Sequence, residues 1–238
     1  MSWRVALAPL RIALAGEFAR FSGKLADPYG TPAAGVELVV QQGWDASVGA
    51  AVATTASTDA EGRFSVSVDV PGLYTVYAAP QDPYGGTRFP AMATATGTEA
   101  FATISAPQAP GQLFATLTWT PGLDLDLHLT APDRKEDGQG DEDRFHVWAN
   151  DPLHPDRTVD GEPYIAEFVL ASSNGPGPES LRINSAPGAG LVHLSVFDMS
   201  NRATVDSVEM AESHVLLQWW YGEDIPRYAW VSPLSAGT

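Results

Sequence analysis

The segment Leu123-Asp124-Leu125-Asp126-Leu127-His128-Leu129 decides the fold class of this 238-residue chain. Leucine alternates with a polar residue, which is the pattern of a β-strand with one face in an apolar core and the other in water. Asp124, Asp126 and His128 would then project from one face, with about 7 Å between successive side chains. Two carboxylates so close repel each other unless a positive group lies beside them. The segment therefore predicts a strand that carries a binding site for a cation or an arginine, and it does not by itself indicate catalysis.

Alternation of this kind recurs along the chain, and turn sequences with Gly or Pro separate the alternating segments. The predicted strands cover residues 18–26, 35–42, 51–58, 63–70, 73–79, 113–119, 123–129, 145–148, 164–170, 191–197, 205–210, 215–221 and 227–231, with further β-prone residues from 87 to 104. The polar residues 151–163 are predicted to form a loop. The pattern predicts an all-β protein of two tandem Greek-key or immunoglobulin-like β-sandwiches, joined by a short Pro-rich linker at residues 106–111.

The composition restricts the classes of function. With 13 Lys and Arg against 29 Asp and Glu, the net charge is −16. This charge argues against nucleic-acid and anionic-membrane partners, because phosphate contacts need clustered basic side chains. The chain has no cysteine, which excludes disulfides, thiolate metal sites and a cysteine nucleophile. It contains no apolar run of the ~18–20 residues that span a bilayer, and it lacks the Gly-x-Ser-x-Gly, Walker and Gly-x-Gly-x-x-Gly motifs of common enzyme classes.

Four blocks of the first half have the order and spacing of a known domain family. They contain turn residues, such as Asp59 and Gly62, and Tyr74, which is predicted to fill a core. The blocks are residues 21–27, 30–36, 58–64 and 71–76. Over residues 18–80 the chain resembles the carboxypeptidase-regulatory-like, or transthyretin-like, domain. The resemblance implies a seven-stranded β-sandwich that spaces, stabilises or presents other modules and has no catalytic residues of its own.

A second set of motifs lies in residues 117–119, 124–129, 145–148, 175–179 and 192–197. With these motifs, residues 113–200 resemble a bacterial β-sandwich domain of the YfaP-like type, which often accompanies von Willebrand A or adhesive modules. Family members carry an acidic Leu-Asp-x-Asp strand before the Gly-Pro-Glu turn, where this chain has Ile165-Ala166-Glu167-Phe168-Val169. Glu167 can replace one carboxylate and the second is missing, so the cation site that the resemblance implies has fewer ligands here.

The predicted boundaries divide the chain into an N-terminal arm at residues 1–16, a first sandwich at residues 17–106 and a second sandwich at residues 112–238. The arm is apolar and resembles a signal peptide, but Pro9 and Arg11 interrupt its apolar core. We therefore predict an uncleaved arm that docks onto a neighbouring subunit or caps a strand edge by strand addition. The expected contact residues are Trp3, Leu7 and Leu10.

The candidate cation site consists of Asp124, Asp126, Glu167 and Glu179. Carboxylate oxygens suit Ca²⁺, and backbone carbonyls or water would complete its shell. The alternative is that Asp126 pairs with Arg144 or Arg182 on a neighbouring strand. Residues 133–162 form a further acidic segment, which lacks the spacing of an EF-hand loop and is predicted to be solvated.

Two other groups of side chains allow alternative interpretations. His128 and His146 could meet on adjacent strands, as part of a transition-metal site or as ordinary hydrogen-bonded histidines. Near the C-terminus, alternation puts Trp219 and Tyr221 on one face and Trp220 on the other. Trp220 is therefore predicted either to stack on a sugar or contact a subunit, or to pack inside a large interface.

These features favour a non-enzymatic structural or binding protein of a surface or extracellular assembly. It would be a filament subunit, an adhesive module, or a virion decoration or tail component. The expected partner is a second copy or a neighbouring protein, with glycan as a further candidate and Ca²⁺ as the one cofactor that the residues suggest. The expected location is extracellular, at a cell surface or in a virion. The alternative is a calcium-dependent hydrolase that acts on polysaccharide, or a carbohydrate-binding module.

Overall fold

The computed structural model describes residues 18–44, 46, 50–105, 108–132, 144–159, 162–184, 191–204, 208–222 and 226–230. For residues 155–159 and 162–165 it describes the backbone alone. The predicted arm at residues 1–16, with Trp3, Leu7 and Leu10, and the acidic residues 133–143 lie outside the described residues. No helix in this described part of the chain is long and apolar enough to cross a membrane.

Within the described part of the first half, seven strands form two facing sheets around one apolar core. They are β1 (Ala19–Ala26), β2 (Glu37–Gln42), β3 (Val52–Ser57), β4 (Arg63–Val68), β5 (Gly72–Ala78), β6 (Thr87–Ala93) and β7 (Glu99–Thr103). The sheet orders are β4-β1-β7 and β3-β2-β5-β6. Strand β4 shows how the pattern determines the fold, since Phe64, Val66 and Val68 are buried while the side chains between them are exposed.

The parallel pairing of β1 with β7 requires glycine at position 23. A Cβ atom there would lie 1.9 Å from the carbonyl oxygen of Ala100 and 2.6 Å from the ring of Phe64. Because both neighbours belong to packed strands, neither can move away without cost. Glycine therefore allows the backbones to approach at this point.

In the second half, the described residues form nine strands in two further sheets around a second core. They are β8 (Leu113–Thr118), β9 (Leu125–Pro132), β10 (Arg144–Val147), β11 (Leu153–Val159), β12 (Glu162–Leu170), β13 (Glu179–Ile183), β14 (His193–Asp198), β15 (Leu216–Tyr221) and β16 (Arg227–Trp230), with a short helix α1 (Glu209–Glu212) before β15. The sheet orders are β10-β9-β14 and β11-β12-β13-β8-β15-β16.

The predicted all-β fold is confirmed, while three local predictions are wrong. Residues 151–163, predicted as a loop, contain β11 and the start of β12. Strand β13 (Glu179–Ile183) lies where no strand was predicted, directly after the Gly-Pro turn. The prediction of a strand at residues 205–210 is wrong for Glu209 and Met210, which the structure describes as the start of helix α1.

A buried interface joins the two sandwiches. On the second sandwich it consists of outward side chains of β8, β13 and β15, which we call the interdomain face: Thr116, Thr118, Ser180, Leu216, Gln218 and Trp220. All six are at most 3% exposed. Leu216 contributes to the core of the first sandwich, and Tyr228 and Trp230 of β16 pack against that same core.

Hydrogen bonds across this interface are centred on Gln218. Its Oε1 atom accepts from the backbone N–H of Thr103 at 2.8 Å and from the Thr103 hydroxyl at 3.0 Å. Its Nε2 atom donates to the Thr87 hydroxyl at 3.0 Å and to the Arg88 carbonyl at 3.2 Å. The hydroxyl of Ser180 donates to the carbonyl of Pro28 at 2.6 Å. Polar groups of both sandwiches thus complete each other's hydrogen bonding, except for Nε1 of Trp220, which is buried without a partner among the described residues.

Candidate functional site

Strand β9 begins within the Asp-Leu-Asp-Leu-His motif, one residue after Asp124. Leu125, Leu127 and Leu129 belong to the core of the second sandwich, and Asp126 and His128 project from the opposite face because side chains alternate along a strand. The prediction that this opposite face lies in water is wrong for both residues, each of which is 8% exposed. For His128 the cause is that aromatic side chains of the neighbouring strands pack against its ring.

Aromatic rings from both neighbours of β9 surround His128. Its ring centroid lies 5.0 Å from that of Trp148, which follows β10, and 4.5 Å from that of Phe197 on β14. The ring of His146 on β10 lies 4.9 Å away and is nearly parallel to that of Trp148, at 5°. We call this surface the β9 face and define it by Asp126, His128, His146, Trp148 and Phe197.

The two histidines of the β9 face contact each other, as their predicted positions on adjacent strands allowed. Nδ1 of His128 and Nε2 of His146 are 2.7 Å apart, so one of them donates a proton to the other. Burial, and to a lesser extent the charge of His146, lowers the pKa of His128 below its ordinary value. His128 is therefore neutral at neutral pH. Its Nε2 atom is buried and has no hydrogen-bond partner among the described residues.

A buried carboxylate lies beside the start of β9. Glu179 is 1% exposed and accepts from the backbone N–H groups of Leu127 at 2.8 Å and Ser172 at 3.1 Å. Burial raises the pKa of Glu179 to about 7, the two N–H donors oppose the rise, and the charges of Asp126 and Asp124 add to it. Burial, followed by the charge of Asp124, also raises the pKa of Asp126. The three carboxylates therefore form one electrostatically coupled group.

The fourth predicted ligand, Glu167, is not part of this group. It lies opposite Arg182 on the adjacent strand β13 and forms an ion pair with it. On β13, Glu179 and Arg182 are three residues apart and therefore project from opposite faces of the sheet. Arg144 donates to the carbonyls of Thr130 and Leu191, so neither arginine is found paired with Asp126 in the described residues.

The chemistry of the group suits a hard cation or a hydrogen-bond donor. Carboxylate oxygens are ligands for Ca²⁺, and the histidine pair offers two nitrogens where zinc needs three or four ligands. Among the described residues, however, no three His, Asp or Glu side chains are placed to hold a metal ion.

Trp220, predicted either as a binding platform or as an interface residue, is 2% exposed and belongs to the interdomain face. It cannot stack on a sugar in this position. The exposed aromatic residues of the β9 face, Phe197 and His146, were not predicted as a binding surface. The alternation in Phe145-His146-Val147-Trp148 does place His146 and Trp148 on one face, but nothing in the sequence pairs β10 and β14 with opposite edges of β9.

No family model and no curated protein sequence matches the chain. Among solved structures, it is similar to a DUF3823 family protein from Parabacteroides merdae, with 11% identity over 91% of this chain and 96% of that one and a TM-score of 0.28. It is also similar to the major pilin subunit BcpA of Bacillus cereus, with 10% identity over 91% and 68% of the two chains and a TM-score of 0.30.

A third similar structure is the major pilin SpaD of Corynebacterium diphtheriae, with 10% identity over 90% of this chain and 63% of that one and a TM-score of 0.32. At TM-scores this low the likenesses carry no argument about function. The fold and the site define the class of this chain, which is an all-β protein of two joined β-sandwiches with an aromatic and acidic surface on the second.

Proposed function

We propose that the chain is a non-enzymatic structural or binding protein of a cell-surface or extracellular assembly, such as a filament subunit, an adhesive module or a virion decoration or tail component. The supporting observation is the buried interface between the sandwiches. Domains joined only by a short linker move relative to each other by default. Here the completely buried Gln218 binds Thr103 and Thr87 of the first sandwich, which favours one stiff body suited to spacing or presenting a binding surface.

The partner that we propose for assembly is a neighbouring copy of the chain, contacted through the arm at residues 1–16. Its apolar contact residues are Trp3, Leu7 and Leu10. A sheet edge presents unpaired N–H and C=O groups that an extended segment can pair with. Strands β3, β4, β10 and β14 each lie at the edge of a sheet and are candidates to receive it.

Removing residues 1–16 is expected to abolish self-association. The full chain should sediment as an oligomer or filament, and residues 17–238 as a monomer, because the apolar arm supplies the contact. Analytical ultracentrifugation measures this directly. The full chain with serine in place of Trp3, Leu7 and Leu10 is the matched control for chain length and should behave like the truncated form. An unchanged sedimentation profile after either change would refute the arm as the assembly contact.

Calcium is the cofactor that we propose, bound weakly by Asp124 and Asp126, with backbone carbonyls or water completing its shell. Addition of Ca²⁺ at a saturating concentration should raise the melting temperature by about 5 °C, because an ion that binds only the folded state stabilises it. Asp126→Asn should remove the increase, and Mg²⁺ at the same concentration should have less effect because it holds its water more tightly. Identical melting curves in Ca²⁺ and in chelator would exclude the ion.

The proposal of a non-enzymatic role has a direct test against the alternative of a polysaccharide hydrolase. The purified chain is incubated with neutral and acidic polysaccharides in Ca²⁺, and reducing ends are measured over time. A binding protein leaves the number of reducing ends constant. A time-dependent increase that is lost in Asp126→Asn would overturn the proposal in favour of the hydrolase.

A further inference from the structure

The β9 face combines apolar ring surface with hydrogen-bond acceptors. Phe197 is 52% exposed, His146 is exposed and Trp148 is partly exposed. Beside these rings lies Asp126, which is 8% exposed and on whose carboxylate only burial and the charge of Asp124 act, with no hydrogen bond or opposite charge from the described residues. Asp124, which is partly exposed, precedes the strand. Binding sites for small organic ligands have this composition, with aromatic walls and a few polar groups that fix the orientation.

We propose that the β9 face binds an uncharged glycan. The C–H faces of pyranose rings would stack on the aromatic rings of Trp148 and Phe197, and sugar hydroxyls would donate to the carboxylates of Asp126 and Asp124. Aromatic side chains suit such a ligand because they combine a large apolar surface with a polar edge. Carboxylates suit it because they are acceptors only, and hydroxyl groups are donors.

The charge of the surface determines the class of glycan. Asp124, Asp126 and Glu179 act on one another electrostatically, and the whole chain has a net charge of −16. A sugar acid would therefore be repelled, whereas a neutral or N-acetylated sugar would not. Arg144 keeps its positive charge while it donates to the carbonyls of Thr130 and Leu191, and it is a single cation against the carboxylates of Asp124 and Asp126.

The dimensions of the face indicate more than one sugar unit. Trp148 follows β10 and Phe197 lies on β14, which are the two neighbours of β9 in the sheet. Two strand spacings amount to about 10 Å, which is long enough for two consecutive pyranose rings. A linear oligosaccharide that crosses the strands would contact both aromatic residues, so we infer an oligosaccharide segment rather than a monosaccharide.

This inference adds a ligand class to the proposed surface role and rests on it, while its test is independent of assembly. The probes are cellohexaose, maltohexaose and chitohexaose as neutral glycans and a galacturonic acid hexamer as the anionic comparison. Isothermal titration calorimetry measures each association constant with the full chain. We expect at least one neutral probe to bind and the anionic hexamer not to bind.

Two substitutions locate the site. Phe197→Ala should lower the association constant of the neutral probe at least about tenfold, which corresponds to the loss of one stacking contact. Phe197→Tyr keeps a ring and should retain binding. Tyr221→Ala is the matched control, because Tyr221 is 53% exposed on β15, away from the β9 face, and should bind like the unchanged chain. Circular dichroism melting of each variant verifies that it is folded.

Three results would overturn the inference: no binding of any neutral probe, tighter binding of the galacturonic acid hexamer, or equal binding by folded Phe197→Ala. A failure here is distinguishable from a failure of the proposed function. Arm-dependent sedimentation without glycan binding would refute the glycan site alone, whereas glycan binding by a chain that never self-associates would refute the proposed assembly and leave the site in place.

Discussion

Replacing Gln218 with leucine is expected to lower the free energy of unfolding by about 3 kcal/mol. Gln218 is fully buried and makes four hydrogen bonds to Thr103, Thr87 and Arg88. Leucine fills a similar volume but leaves the backbone N–H of Thr103 without this partner in a buried interface. An unpaired buried donor costs its desolvation energy, which exceeds the apolar gain from leucine. Urea unfolding followed by tryptophan fluorescence measures the change.

The control for Gln218→Leu is Gln42→Leu, the same chemical change at an exposed position of β2. It should alter the free energy of unfolding by less than about 0.5 kcal/mol. Thr87→Val, which removes the hydroxyl that Gln218 binds, completes a double-mutant cycle between the two sandwiches. A coupling energy of about 1 kcal/mol is expected for a direct contact. If Gln218→Leu proved as mild as Gln42→Leu, or if the cycle gave no coupling, the interface would not exist in solution as described.

The second large effect is a loss of stability with rising pH that depends on Glu179. Its folded-state pKa of about 7 lies above the ordinary value of 4.5, so the folded chain binds the proton more tightly than the unfolded chain does. Stability from this group is therefore fully present below the unfolded-state pKa and is lost as pH rises through about 7. The difference corresponds to about 3 kcal/mol. Glu179→Gln cannot ionise and should remove this loss.

The measurement is the free energy of unfolding at several pH values in a chelator, compared between the unchanged chain and Glu179→Gln. Burial lowers the pKa of His128 and of His214, with His146 adding to the effect at His128. These two groups make the free energy of unfolding fall toward acid pH. Their contribution is the same in the unchanged chain and in Glu179→Gln, so it does not affect the difference between the two curves. Glu212→Gln, at an exposed position of α1, should follow the curve of the unchanged chain. Parallel curves for Glu179→Gln would show that Glu179 is ionised in the folded chain at neutral pH.

Most of the strands could be predicted because one of their faces is apolar and the other is not. Strand β4 alternates between exposed and buried residues throughout, and period-two patterning is a local property that the sequence displays directly. Strand β13 has no such alternation, because Leu181 and Ile183 face the core while Ser180 is buried against the first sandwich. A strand that is covered on both faces by different partners cannot be recognised from the period alone.

The candidate site shows the same division between local and long-range information. The motif at residues 123–129 correctly places Asp126 and His128 on one face of a strand, and the meeting of His128 with His146 follows from adjacent strands. The burial of His128 could not be predicted, because the rings that pack against it come from Trp148 and Phe197 on opposite sides. Glu179 interacts electrostatically with Asp126 and Glu167 pairs with Arg182 instead. This difference depends on which face of the sheet each carboxylate occupies.

The sequence by itself determined that this is an all-β protein, because the alternation of apolar and polar side chains follows from strand geometry within each segment. It also excluded chemistry that needs cysteine, and it predicted that the acidic strand at residues 123–129 carries a binding site. The tertiary structure alone decided that Gln218 and Trp220 lie in a buried interface between the sandwiches, that Glu179 is buried within the electrostatic influence of Asp126, and that aromatic rings pack against His128. These environments arise from contacts between residues far apart in the chain, and such contacts depend on how the sheets pair and stack.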